Sequence, residues 1–246
     1  MRPQFASEVL KLRSTRTAAG LLGALVALVV VAVALHGYGL PADELATSDR
    51  QLSFLVGWGA VLGSLFAALC GALSFTAEVR HGTIRPTLIA TPRRGRVVLA
   101  KLEAAYLAGT VMGLGATCVA AVAGRVALDA RGVAVMLDGG DYAFLIAGGA
   151  ASAGLWAVIG VGVGAVVRAQ VPTVVGLLAW VLLVEGQVLG NAPGVGRLAP
   201  GPLGQAMSGL RPGDLVDPAL AAVLLATYAV GAGAAGWLAA TRTDVA

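Results

Sequence analysis

Residues 17–35 read TAAGLLGALVALVVVAVAL, with no charged side chain and no proline. An α-helix rises ~1.5 Å per residue, so this stretch extends about 29 Å, close to the ~30 Å hydrocarbon core of a bilayer. Such a run reads as a membrane span, and the rest of the chain is then read with lipid as its solvent. The composition agrees. Of 246 residues, 58% are hydrophobic and 12% charged, with a mean hydropathy of +0.85. Soluble domains carry about 25% charged residues.

Working outward, five more stretches qualify. The pattern predicts an all-α membrane protein with a single transmembrane domain over residues 1–246 and six spanning helices, near 17–36, 52–76, 97–124, 142–167, 172–190 and 218–240. Pro172 and Pro218 open the fifth and sixth, a position where the missing N–H costs nothing. The first run, preceded by Arg2, Lys11, Arg13 and Arg16, also has the outline of a signal peptide. Its length and the five runs behind it favour a span. Because the runs are apolar all round, periodicity does not tell a lipid-facing side from a packed one.

Orientation follows from Lys and Arg in the connections. The N-terminal tail, residues 77–101, Arg168 and Arg242 together hold twelve; Arg50, Arg125, Arg131, Arg197 and Arg211 make five on the alternate side. The alternate side also holds most of the acids. Both termini and the segment between spans two and three are therefore expected in the cytoplasm, and residues 191–217 outside.

Several functions are set aside at this level. The net charge of +4 is not the basic stripe of a nucleic-acid binder. Cys70 and Cys118 lie in apolar runs, and His36 and His81 have no partner at metal-ligand spacing, so neither a disulfide framework nor a metal site is expected. No G-x₄-GK[ST] phosphate loop occurs, so ATP binding of that type would need another polypeptide. The GAGAAG at 231–236 imitates a dinucleotide fingerprint but falls inside an apolar span, where small residues let helices approach. No Ser–His or Ser–Lys pair suggests catalysis, and the chain is read as carrying no enzyme activity of its own.

The charge is concentrated in EVRHGTIRPTLIATPRRGR, residues 78–96. Thr83 can cap a short helix with Pro86 in its first turn, which puts Ile84 and Leu88 on one face. Pro92 ends that helix, and Arg93, Arg94 and Arg96 then sit beside lipid phosphates. A second segment, FASEVLKLRSTRT at 5–17, places Phe5, Val9 and Leu12 at i, i+4 and i+7. With the residues before it, this reads as an amphipathic interfacial helix over 1–16. By itself, the loop has a plainer reading as a positive-inside segment that only fixes topology.

Taken together, SEVLKLRSTRT and EVRHGTIRPTLIATPRRGRVVLAK resemble the ABC-2 type (type V) ABC transporter permease family. The pattern E-x₃-GT-x-R…P-x-R…K falls on Glu78, Gly82, Thr83, Arg85, Pro92, Arg94 and Lys101. The resemblance implies a bacterial exporter subunit in the plasma membrane. Arginine far outnumbers lysine, which also suits a high-GC bacterium. It implies a coupling helix within residues 77–96, with Glu78, Gly82, Thr83, Ile84, Arg85 and Leu88 meeting a separate ATPase subunit that binds ATP and Mg. It further implies a second permease copy, or a homologous permease, in a 2+2 assembly. No cofactor is expected in this chain. The cargo stays open among drugs, antibiotics, lipids and peptide-like molecules. The alternative is a membrane scaffold or sensor that transports nothing.

Two acids stand in or near spans. Glu103 is expected near the cytoplasmic end of span three. Glu185 lies deeper, in WVLLVEGQVLGN, where an uncompensated charge costs up to about 2.5–3.5 kcal/mol. It is either a structural group near the outer interface or part of a polar pathway, with Gln187 and Asn191 placed to share its hydrogen bonding. Between spans five and six, PLGQAMSGL at 202–210 reads either as a re-entrant helix or as an irregular external loop.

Overall fold

The computed structural model describes residues 2–47, 51, 57–83, 94–210 and 215–242. These form helices α1 (Arg2–Ser14), α2 (Arg16–Gly39), α3 (Gly57–Arg80), α4 (Arg94–Ala130), α5 (Gly139–Val167), α6 (Gln170–Asn191), α7 (Pro193–Gly196), α8 (Pro200–Met207) and α9 (Pro218–Arg242), with a 3₁₀ turn at Glu44–Ala46. No strand occurs among the described residues. Six helices (α2, α3, α4, α5, α6 and α9) are long and apolar enough to cross a membrane.

The helices run past the predicted spans because charged residues leave the bilayer without leaving the helix. α5 begins at Gly139, where Asp138 accepts from the Asp141 N–H and Asp141 accepts in return from the Asp138 N–H. That reciprocal cap satisfies N–H groups that the first turn leaves open. α4 has 37 residues and so extends about 55 Å, well past an apolar core of ~30 Å. It includes Arg94 and Arg96, which the sequence reading left in the loop. α3 continues to Arg80; residues 52–56, where span two was expected to begin, lie outside the described residues.

α3 closes with Gly82 at φ 69°. The Gly82 N–H donates to the Val79 carbonyl and the Thr83 N–H to the Glu78 carbonyl. This glycine-dependent stop satisfies the last carbonyls of a helix. Thr83 takes part in this stop, and the helix it is expected to start lies outside the described residues.

α3, α4 and α5 form the centre, and small residues set their spacing. A Cβ added to Gly71 would lie 2.1 Å from the Ala157 carbonyl oxygen, and one added to Gly160 would lie 2.0 Å from that of Ala68. Backbones meet directly at this crossing of α3 and α5, giving the dispersion contact that replaces the hydrophobic effect inside lipid. Gly59 and Gly63 pack on α4, and Gly109 and Gly113 on α5, but Gly186 and Gly190 face open space. α2 buries one stripe, Leu25, Val29 and Val33, and leaves Leu22, Val26 and Val30 outward.

Connections at the two ends sort the chain. At one end, Arg168 after α5 donates to the Ala239 carbonyl of α9, and Gly95 of α4 lies against Trp237. α1 packs there on α4, so α1 and the last turn of α9 share this end with the start of α4. At the opposite end, Arg131 donates to the Gly37 and Leu40 carbonyls, and the fully buried Gln51 donates to the carbonyls of Leu45 and Ala134.

Candidate functional site

The N-terminal helix buries a charge. Glu8 is 5% exposed, whereas Leu10 is 66% exposed. The predicted apolar face of Phe5, Val9 and Leu12 is only half-buried. The reason is a four-charge cluster. Lys101 Nζ, on α4, lies 2.5 Å from Glu8 Oε2 and 3.1 Å from Glu78 Oε1. Lys11 Nζ lies 2.7 Å from Glu8 Oε1 and 2.9 Å from Glu78 Oε1. Lys101 also donates to the Ser74 carbonyl at 3.1 Å. Two carboxylates and two ammonium groups balance, and they tie α1 to the last turn of α3 and the start of α4. They line a cavity of about 540 Å³ that also touches Arg80, His81 and Gln170.

Burial opposes ionisation of Glu8, but the charges of Lys101 and Lys11 outweigh it and hold the carboxyl below its usual 4.5. Burial likewise opposes the charge on Lys11, and hydrogen bonds to Glu8 and Glu78 outweigh it, raising the ammonium above its usual 10.5.

Of the residues expected to meet an ATPase, Glu78 is engaged inward, in this cluster. Its Oε2 is buried without a hydrogen-bond partner among the described residues. Gly82 and Thr83 form the exposed turn that closes α3. Ile84, Arg85 and Leu88 lie outside the described residues, as do Pro92 and Arg93. Sequence reading had placed Glu78 and Lys101 in one motif and read residues 1–16 as an interfacial helix, without joining Glu8 and Lys11 to Glu78 and Lys101. The signal was the spacing of Glu8 and Lys11 at i, i+3, which puts both on one face.

Glu185 forms the second site. Residues Trp180–Val184 make a π-turn inside α6, and the Glu185 N–H bonds to the Trp180 carbonyl five residues back. The wider turn stacks the two side chains, and Trp180 Nε1 donates to Glu185 Oε1 at 2.7 Å. The Gly201 N–H, in the first turn of α8, donates to the same oxygen at 3.0 Å. The carboxylate therefore caps a helix that follows it in the chain, and the positive end of that helix faces a negative charge. No described residue donates to Oε2.

Gln187 and Asn191 do not share this arrangement. Both are exposed, and Asn191 Nδ2 donates to the Gln187 carbonyl at 2.8 Å. Glu103 is exposed on α4 and outside both clusters.

α8 (Pro200–Met207) overlaps the 202–210 stretch read as helix or loop. It is a helix, and it packs deep. A Cβ on Gly204 would lie 2.6 Å from Ser152 Oγ, and one on Gly148 would meet the Met207 carbonyl oxygen at 2.3 Å. Ser152 is about 20 Å along α5 from Gly139, so α8 reaches the middle of the bundle. With α6 and α3 it encloses a cavity of about 210 Å³, lined by Glu185, Ser64, Trp156 and Gln205 among others. Ser64, on its wall, bonds to Ser152 of α5 at 3.1 Å.

Among the described residues no three His, Cys, Asp or Glu side chains gather as metal ligands. The fold is that of an all-helical, multi-pass membrane protein. No family model matches the chain, and no curated protein matches it.

Proposed function

We propose that this chain is the transmembrane permease subunit of an ATP-driven exporter in a bacterial plasma membrane. It would act with a second permease and with a separate ATPase subunit that binds ATP and Mg. The observation that carries this reading is the Glu8–Lys11–Glu78–Lys101 cluster. The segment 81–93 joins α3 and α4, and the cluster binds both stems to each other and to α1. A push on that segment from a soluble partner then moves three helices as one body. A loop serving only to fix topology has no need of buried ion pairs in its stems, since its arginines act from the surface. The sequence pattern from Glu78 to Lys101 supports the same assignment, and Ile84, Arg85 and Leu88 remain the residues proposed to contact the ATPase.

The test is affinity purification of the tagged chain from its native membranes. A P-loop ATPase should co-purify, and a Leu88→Asp variant should release it while the permease stays inserted. Recovery of the chain without any such ATPase, even after cross-linking, would leave the scaffold reading standing. Orientation is checked by cysteine labelling in a background lacking Cys70 and Cys118. A probe at exposed Gly139 should react from outside intact cells, and one at exposed His81 should not.

A further inference from the structure

We infer that the cavity beside Glu185 is a binding site for a protonated amine. Glu185 is 4% exposed, and none of the ion pairs formed by the described residues includes it. Trp180 Nε1, the Gly201 N–H and the start of α8 all turn positive dipole ends toward the carboxylate. Such donors favour the ionised form. They supply only partial charges, both to Oε1, so a carboxylate here has no full counter-charge among the described residues, in an apolar setting where isolated charge is costly. A mobile cation completes the site.

The lining selects the kind of cation. Hard metal ions take six or more oxygen ligands, and Glu185, Ser64 and Gln205 offer too few. The remaining wall is apolar, with Trp156 presenting an aromatic surface suited to an organic cation. At about 210 Å³ the cavity lies below the ~300 Å³ of pockets for drug-sized ligands. It fits a small aromatic or aliphatic amine, or the cationic head of a larger molecule. Glycine at 201 belongs to the site, since a Cβ there would lie 1.9 Å from Glu185 Oε2 and crowd the oxygen left without a donor. Binding at this site stands apart from export; that the amine is exported cargo rests on the export reading.

The experiment uses the purified full chain in phosphatidylcholine nanodiscs, titrated calorimetrically at neutral pH with benzylamine and with benzyl alcohol, its uncharged counterpart. Both partition into lipid without saturating. Benzylamine should add a saturable phase, and Glu185→Gln, which keeps an acceptor for Trp180 and Gly201, should weaken that phase at least tenfold. Identical titrations of the wild-type protein with amine and alcohol would overturn the site without recourse to any variant. So would undiminished benzylamine affinity in a folded Glu185→Gln protein. Failure to recover an ATPase would overturn the export reading and leave this binding result intact.

Discussion

Glu8, Lys11, Glu78 and Lys101 sit at one end of the bundle as two negative and two positive charges in mutual contact. The cavity that Glu185 lines has Ser64 on its wall, about 21 Å along α3 from Glu78, and there a single buried carboxyl group is held by neutral donors. The two regions solve the cost of buried charge differently. The first pairs its charges within the chain and gains a rigid junction of three helices. The second orients dipoles and leaves the charge itself available. A self-neutralised cluster suits transmission of force, and an unneutralised carboxylate beside a cavity suits a ligand.

The comparison breaks most severely at Lys101. Replacing it by methionine leaves Glu8 and Glu78 with only the half-exposed Lys11. Removing one partner of a buried pair costs about 3–5 kcal/mol, so Lys101→Met should sharply lower the yield and thermal stability of detergent-purified protein. Adding Glu8→Gln should recover part of the loss. If the double variant is no better than the single, the pairing is not what stabilises this junction.

The cluster also predicts a pH window. Glu8 has a depressed folded pKa, so its contribution is present above 4.5 and fades as pH falls through the folded value. Lys11 has a raised one, so its contribution is present below 10.5 and fades as pH rises through the folded value. The stability difference between wild type and Glu8→Gln should be flat between these limits and shrink below the lower one, as read from melting temperatures across pH.

At the other region the effects are smaller. Trp180→Phe keeps most of the packing and removes a donor to a charged acceptor, which is worth about 1.5–3 kcal/mol. Glu185→Gln retains acceptors for both donors and should cost about 1 kcal/mol or less in the absence of ligand. A larger loss for Glu185→Gln than for Lys101→Met, measured in one detergent, would reverse the assignment of structural and ligand-binding roles. Lys11→Met sits at the bottom of the series. Its side chain is 43% exposed, and an exposed pair contributes about 0–1 kcal/mol.

The sequence by itself determined the helical class, the six spans and the concentration of charge between spans two and three. Helix ends were legible where the apolar run itself stops, as at Val167 before Arg168, and where Pro218 opens α9, but not at Gly82, whose stop was read as part of the loop. The true starts of α4 and α5 were hidden because hydropathy reports where lipid begins, while a helix continues through charged residues that water and caps can satisfy. The tertiary structure decided which faces pack. In apolar runs every face looks alike, and the choice falls to backbone approach at Gly71 and Gly160, a property of two helices together. It also decided the partners of the charges. Glu8 and Lys101 are 93 residues apart, and Glu185 meets Gly201 only because a π-turn re-aims one helix and α8 folds back beside it. Ion pairs and caps of this kind depend on distances through space, which spacing along a chain fixes only within a single helix.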